Sequence, residues 1–239
     1  MKYCEEKGYG FCIKPKTIPI VPVAVIYDFH LGTQHYAPNA QDGYKACLEA
    51  GTAKVAEGNV GAGTGALVGK VCGIQQAMRG GLGTAGMQFP NGLLVGVLVV
   101  VNTFGDIRNY EDNRIIAGAR TTDGHFVDTV QYIMAGNLVT TNSASNTLIG
   151  IVVTNANLDK TKLTKVAQMA HVGVSQVVTP AHTMSDGDTF FALATGKIEA
   201  QVNLVGIVAA ELVKKAIFRA IVKAVGREGI PAYSEIIIT

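Results

Sequence analysis

Apolar and polar positions along this chain fall into blocks of changing period, and each block predicts an element. IPIVPVAVIYDF (18–29) is apolar with two prolines near its start, which predicts a strand paired over 23–27. DGYKACLEAG (42–51) opens on Asp and stops at Gly, the N-cap and terminator of a short helix. GTAGMQF (83–89) and LLVGVLVVVN (93–102) flank Pro90-Asn91-Gly92 and predict a hairpin. Its second strand is apolar on both faces and belongs in the middle of a sandwich. Residues 148–154 are β-branched and apolar and read as another buried strand, followed by a helix over 158–174 with Leu163, Val166, Ala167 and Ala170 on one face. HTMSDGDTFFALATG (182–196) is an acidic turn feeding a core strand. Residues 202–226 form a helix too apolar to leave one face in water, so it packs on the sheet and on a neighbour. Two regions stand apart. MKYCEEKGYGF looks like the end of an amphipathic helix, as if the chain began inside a domain, and 103–146 is polar with weak strand signals, a candidate processing or lid region.

Composition narrows the class. The 239 residues contain 48% hydrophobic and only 16% charged residues, with 28 glycines and no tryptophan, which describes one tightly packed domain (1–239) whose weakly charged surface is partly covered by other subunits. A net charge of +2 without a basic run carries no nucleic-acid or membrane footprint. Cys4, Cys12, Cys47 and Cys72 show no CxxC spacing and the histidines are scattered. Neither a zinc site nor a disulfide framework is signalled, and the thiols read as those of a reduced, cytoplasmic protein. No stretch reaches membrane-spanning length and no signal-peptide core is present in this sequence.

Chemistry concentrates around NSASNTLIGIVVTNANL (142–158). A polar run stops at Asn146, and Thr147 opens the apolar strand. A hydroxyl there could attack the Asn146 carbonyl, and cleavage would leave a threonine carrying both nucleophile and candidate base, its own α-amine. The alternative is a plain loop entering a strand, with Thr147 as an ordinary β-former. Asp186 and Asp188 flank Gly187, so their carboxylates crowd one space and read as a proton-handling pair, or else as a plain turn or cation loop. GNVGAGTGALVGK (58–70) lacks both the Walker spacing and GxGxxG, since Val71 follows Lys70; its glycines let backbone approach a small-molecule site into which Lys70 reaches, unless Lys70 is a solvated surface lysine. Asn102 closes its strand as a turn former or a site donor, and Tyr27 ends the strand predicted over 23–27.

GAGTGALVGK, GGLGTAGMQFPNGLLVGVLVVVNTFGDI, SNTLIGIVVTNANL, AHTMSDGDTFFALATG and PAY (231–233), in that order, resemble the self-processing DmpA-like peptidases, which include β-peptidyl aminopeptidases and nylon-oligomer hydrolases. The resemblance implies an α/β fold, a four-layer αββα sandwich of the N-terminal-nucleophile type shared with ornithine acetyltransferases. It implies cleavage into an α chain 1–146 and a β chain 147–239, assembled as a tetramer of such pairs. Thr147 matches the nucleophile, Asp186 and Asp188 the acidic pair of the nylon-oligomer hydrolases, Lys70 and Asn102 the groups beside the nucleophile, and Tyr27 an active-site tyrosine that meets substrate. Family members carry a further segment upstream, with a GGSAFGL-like stretch and a strand, so the expectation is a sheet that this chain completes only in part.

The implied reaction is amide hydrolysis of amino-terminal residues or short ω-amino-acid oligomers through a Thr147 acyl-enzyme. Asp186 holds the amine and hydroxyl, Asp188 orients Asp186, Lys70 and Asn102 stabilise the oxyanion, and no metal or organic cofactor takes part. An acyltransferase resembling the ornithine enzymes, and an inactive truncated relative serving as an assembly module, stay open as alternatives.

Overall fold

The computed structural model describes residues 1–29, 37–137 and 146–236. They fall into two compact units, 1–25 with 37–55, and 26–29 with 56–137 and 146–236. The polar loop expected over 142–145 lies outside the described residues.

The smaller unit contains helix α1 (Lys2–Glu6), an antiparallel hairpin of β1 (Phe11–Ile13) and β2 (Lys16–Ile18), and helix α2 (Ala40–Glu49). The start of α2 precedes the predicted one because Asn39 is the cap. Its side chain accepts from the Gln41 and Asp42 N–H groups while the Asp42 carboxylate returns to the Asn39 N–H, a capping box that puts Asp42 inside the helix. The strand predicted over 23–27 does not form, since pairing ends at Ile18. Pro19 and Pro22 remove two ladder donors, and Val23 and Val25 stay 76% and 75% exposed rather than packed.

The larger unit runs β3 (Leu67–Val68), β4 (Met78–Arg79), β5 (Gly81–Gln88), β6 (Leu94–Asn102), β7 (Asp106–Arg108), β8 (Ile115–Ala117), α3 (Thr129–Met134), β9 (Thr147–Ala156), α4 (Lys160–Ser175), β10 (Val178–Thr179), β11 (Thr189–Ile198) and α5 (Val202–Val222). Its main sheet has the order β11-β9-β6-β5, with β9 parallel to β11 and antiparallel to β6. Strand alternation sends Val95, Val97, Val99 and Val101 of β6, with Leu148 and Val152 of β9, into one core with Leu212, Ala216 and Ile217 of α5 and Val166 and Ala170 of α4. The opposite face begins with Leu82, Val100 and Ala66, then opens to solvent at Leu94, Val153 and Leu193. No helix among the described residues is long and apolar enough to cross a membrane.

Helix α5 reaches the sheet because β5 offers glycines. A Cβ on Gly83 would lie 2.0 Å from the Ala216 carbonyl oxygen, inside any permitted contact. Gly83→Ala is expected to cost about 2–3 kcal/mol, the usual penalty of overpacking, read as a lower midpoint in urea unfolding; an unchanged midpoint would mean that α5 lifts off the sheet freely.

Residues 103–137 are more ordered than their polarity suggests. They supply β7 and β8, with β7 paired to β8 on one side and β10 on the other in a three-stranded sheet, and α3. The organiser is Asp106, fully buried, which accepts from the Ala119 N–H at 3.1 Å, the Thr129 N–H at 2.7 Å and the Thr129 hydroxyl at 2.8 Å. Burial lifts its carboxyl to about 6, with the Thr129 and Ala119 donors opposing the rise.

Candidate active site

Thr147 is the first residue of β9, and its Cα partner across the ladder is Asn102, the last residue of β6. That register brings together what the sequence separates by 45 positions. Thr147 is buried, and its hydroxyl donates to the Asn146 carbonyl oxygen at 2.6 Å. The same oxygen accepts from the Gly187 N–H at 2.9 Å, because Asn146 forms a parallel bridge with Asp186. The Asn146 side-chain amide donates to the Ser185 carbonyl at 3.0 Å, while its Oδ1 is buried with no hydrogen-bond partner among the described residues. Gly187 leaves room for this approach, since a Cβ there would sit 3.0 Å from Thr147 Oγ1, a tight contact that would press on the hydroxyl.

Lys70 is the opposite of a solvated lysine. It is 1% exposed, and its Nζ donates to Asn102 Oδ1 at 3.0 Å and to the Asn102 carbonyl at 3.2 Å. Asn102 Oδ1 also accepts from the Leu67 N–H at 3.0 Å, which ties β3 to the end of β6. Loss of water around the ammonium pulls Lys70 down to about 7, against the attraction of the Asp186 carboxylate. Asn102 Nδ2 donates to the Tyr27 carbonyl at 3.4 Å, so Tyr27 reaches the group through its backbone, while its ring stands edge-on to Phe29 with centroids 5.3 Å apart.

The two aspartates have separate partners. Asp186 Oδ2 accepts from the Thr183 N–H at 3.1 Å and hydroxyl at 2.7 Å, and its Oδ1 lies 3.4 Å from the Phe104 N–H. Asp188 Oδ1 accepts from the Leu148 N–H at 2.8 Å, and its Oδ2 lies 2.9 Å from His182 Nδ1. Burial raises the Asp188 carboxyl; the Leu148 N–H opposes this, the Asp186 charge adds to it, and His182 opposes it. The Asp188 carboxylate therefore grips the backbone of β9 at Leu148, whereas the Asp186 carboxylate grips Thr183. Thr147, Lys70, Asn102, Asp186, Asp188 and Tyr27 all belong to one neighbourhood. The Gly187 N–H and His182 join them without having been singled out from sequence; a backbone donor has no residue signature, and the one available hint was a glycine wedged between two aspartates.

A sequence profile of Peptidase family S58 matches residues 1–232. The chain belongs to this family. An uncharacterised aminopeptidase of Mycobacterium leprae is 35% identical over 263 residues, covering 98% of this chain and 69% of the relative. A 6-aminohexanoate-oligomer endohydrolase of a Kocuria species is 30% identical over 183 residues, covering 75% of this chain and 51% of that enzyme. The solved L-aminopeptidase D-Ala-esterase/amidase of Ochrobactrum anthropi, described as a variant of the Ntn hydrolase fold, superposes with a TM-score of 0.55 at 21% identity, covering 80% of this chain and 52% of that one. At that identity the match speaks for the fold, and the S58 chain has the N-terminal-nucleophile hydrolase fold expected for it. It spans about half the length of the latter two proteins.

Proposed function

We propose that this S58 chain is a self-processing amide hydrolase that cuts itself between Asn146 and Thr147 and then acts on amino-terminal residues or short ω-amino-acid oligomers through a Thr147 acyl-enzyme. One observation carries the reading: the Asn146 carbonyl oxygen is held by the Thr147 hydroxyl at 2.6 Å and by the Gly187 N–H at 2.9 Å, a nucleophile and an oxyanion donor on one peptide bond. In the uncut chain Thr147 has no free α-amine, so another group must take the hydroxyl proton. Lys70, near 7 and bonded to the ladder partner of Thr147, is a neutral amine for a large share of the time at neutral pH. Oγ1 attacks the Asn146 carbonyl carbon, and the oxyanion is met by the Gly187 N–H. The C–N bond breaks as the Thr147 nitrogen takes the proton back from Lys70, leaving an ester. Water hydrolyses the ester to an Asn146 carboxylate and a Thr147 α-amine, which serves as base in later turnovers. No step needs a metal or organic cofactor.

The names of the relatives, an aminopeptidase and an oligomer endohydrolase, support the two substrate classes. A cytoplasmic homo-oligomer completes the proposal, supported by unbridged cysteines and by Val153 and Leu193 exposed on the sheet face. Purified protein is expected to show two polypeptides by mass, the second beginning Thr147-Leu148-Ile149, and to release product from aminoacyl anilides or 6-aminohexanoate oligomers. An uncut chain that persists on incubation at neutral pH would sink the reading. Asp186→Asn and Asp188→Asn are each expected to slow turnover by about 10²-fold, the scale of a lost proton-handling group, with a smaller effect on the unfolding midpoint. Loss of folding with normal turnover in the surviving protein would return the acidic loop to a purely structural role.

A further inference from the structure

His182 is a left-handed residue without the freedom of glycine. Its φ of 56° lies where a side chain other than Gly, Asn or Asp costs about 1–2 kcal/mol. Its imidazole is held on several sides. Nδ1 is 2.9 Å from Asp188 Oδ2, Nε2 is 3.5 Å from the His171 carbonyl oxygen, and its ring stands edge-on to the His171 ring of α4 with centroids 4.9 Å apart. His171 in turn stacks edge-on against Phe190 of β11 at 5.0 Å. The chain of contacts thus runs from α4 through His182 to Asp188, and from Asp188 Oδ1 to the Leu148 N–H, one residue past the nucleophile. Asp188 is nearly buried while His182 is about one-third exposed, so the ring closes the solvent side of the carboxylate.

We infer that His182 is a positioning residue for Thr147: its Nδ1–H fixes the Asp188 carboxylate in the orientation that grips the Leu148 N–H, and thereby fixes the start of β9. The inference rests on the reading of Thr147 as the nucleophile. It assigns His182 no contact with substrate. Its effect passes through Asp188, so it should fall on kcat and on the rate of self-cleavage rather than on KM.

Two substitutions separate ring from backbone. His182→Gly accepts the left-handed backbone and removes the ring, whereas His182→Asn tolerates the same backbone and keeps an N–H donor near the place of Nδ1. The first measurement does not depend on activity. In protein carrying Thr147→Ala, the Leu148 amide is expected to exchange with solvent about tenfold faster in His182→Gly, the effect of one weakened hydrogen bond, and at the original rate in His182→Asn. Unchanged protection in His182→Gly would overturn the inference. The second measurement is a double-mutant cycle on self-cleavage and on kcat. His182→Gly should slow both about 10-fold or more with KM unchanged, and should add nothing in an Asp188→Asn background. Equal losses in both backgrounds, or a loss that His182→Asn does not recover, would make His182 a purely structural residue. If the exchange result holds but the unsubstituted chain neither cuts itself nor hydrolyses any amide offered, the reading of Thr147 as nucleophile fails, and the positioning role falls with it while the contact itself stands.

Discussion

Thr147→Ala is expected to remain one uncut chain with no amidase activity, while Thr147→Ser still cuts itself and turns over. The contrast isolates the hydroxyl. Alanine preserves β9, whose hold on β6 and β11 is made by backbone, and removes the hydroxyl that reaches the Asn146 carbonyl. The loss should be total within detection, since in the proposed mechanism the hydroxyl attacks in processing and in every later turnover. Intact mass and amino-terminal sequencing of the three proteins decide the matter. Two polypeptides in the alanine variant, or a new terminus anywhere but Thr147, would remove the nucleophile assignment.

Lys70 carries the second large effect. A base must be neutral to accept a proton, and the Lys70 amine is held near 7 by burial, so the first-order rate of self-cleavage should rise with pH through about 7 and level off above it. The sign is fixed by the direction of the shift: an ordinary lysine near 10.4 would still be charged throughout this range. Lys70→Met should slow cleavage by about 10²–10⁴-fold. Lys70→Arg should do no better, because a guanidinium stays protonated at any pH the fold survives. A time course by gel densitometry from pH 5.5 to 9 tests both statements. A flat profile, or normal cleavage by the arginine variant, would leave Lys70 as a source of positive charge beside Asn102 and nothing more.

The parts of this fold that were legible in the sequence are those decided locally. The hairpin 83–102, the strand opening at Thr147 and the helices that start after Asp159 and Gln201 follow from period and apolarity within a few residues. Misreadings occur where a distant partner decides. The polar run from 103 onward reads as a processing or lid region until buried Asp106 is seen to gather Thr129 and Ala119, and around it 103–137 acquires two strands and a helix. The converse failure is at 23–27, where an apolar run has the composition of a strand but joins no ladder among the described residues, because tertiary pairing outweighs propensity. In the candidate site Thr147, Asp186 and Asp188 announced themselves by position. Lys70 stands out with a solvated lysine left open as the alternative, and the choice depends on β3 and Asn102 closing over it, while the Gly187 N–H and the ring of His182 take their meaning only from geometry.

The place of β9 in the sheet has one more consequence. It lies between β6, which precedes residue 147 in the chain, and β11, which follows it, and its backbone is bonded to both. Severing the chain at the head of β9 therefore changes the connectivity of the polypeptide without unpairing a single rung. Pulling the two pieces apart would mean tearing a ladder that runs from Val95–Thr154 to Asn102–Thr147, along with the α5 packing on β5 and β6. If the chain is cut there as proposed, the two polypeptides would remain non-covalent complements that share one core, and the covalent link at residue 146 would serve assembly rather than cohesion.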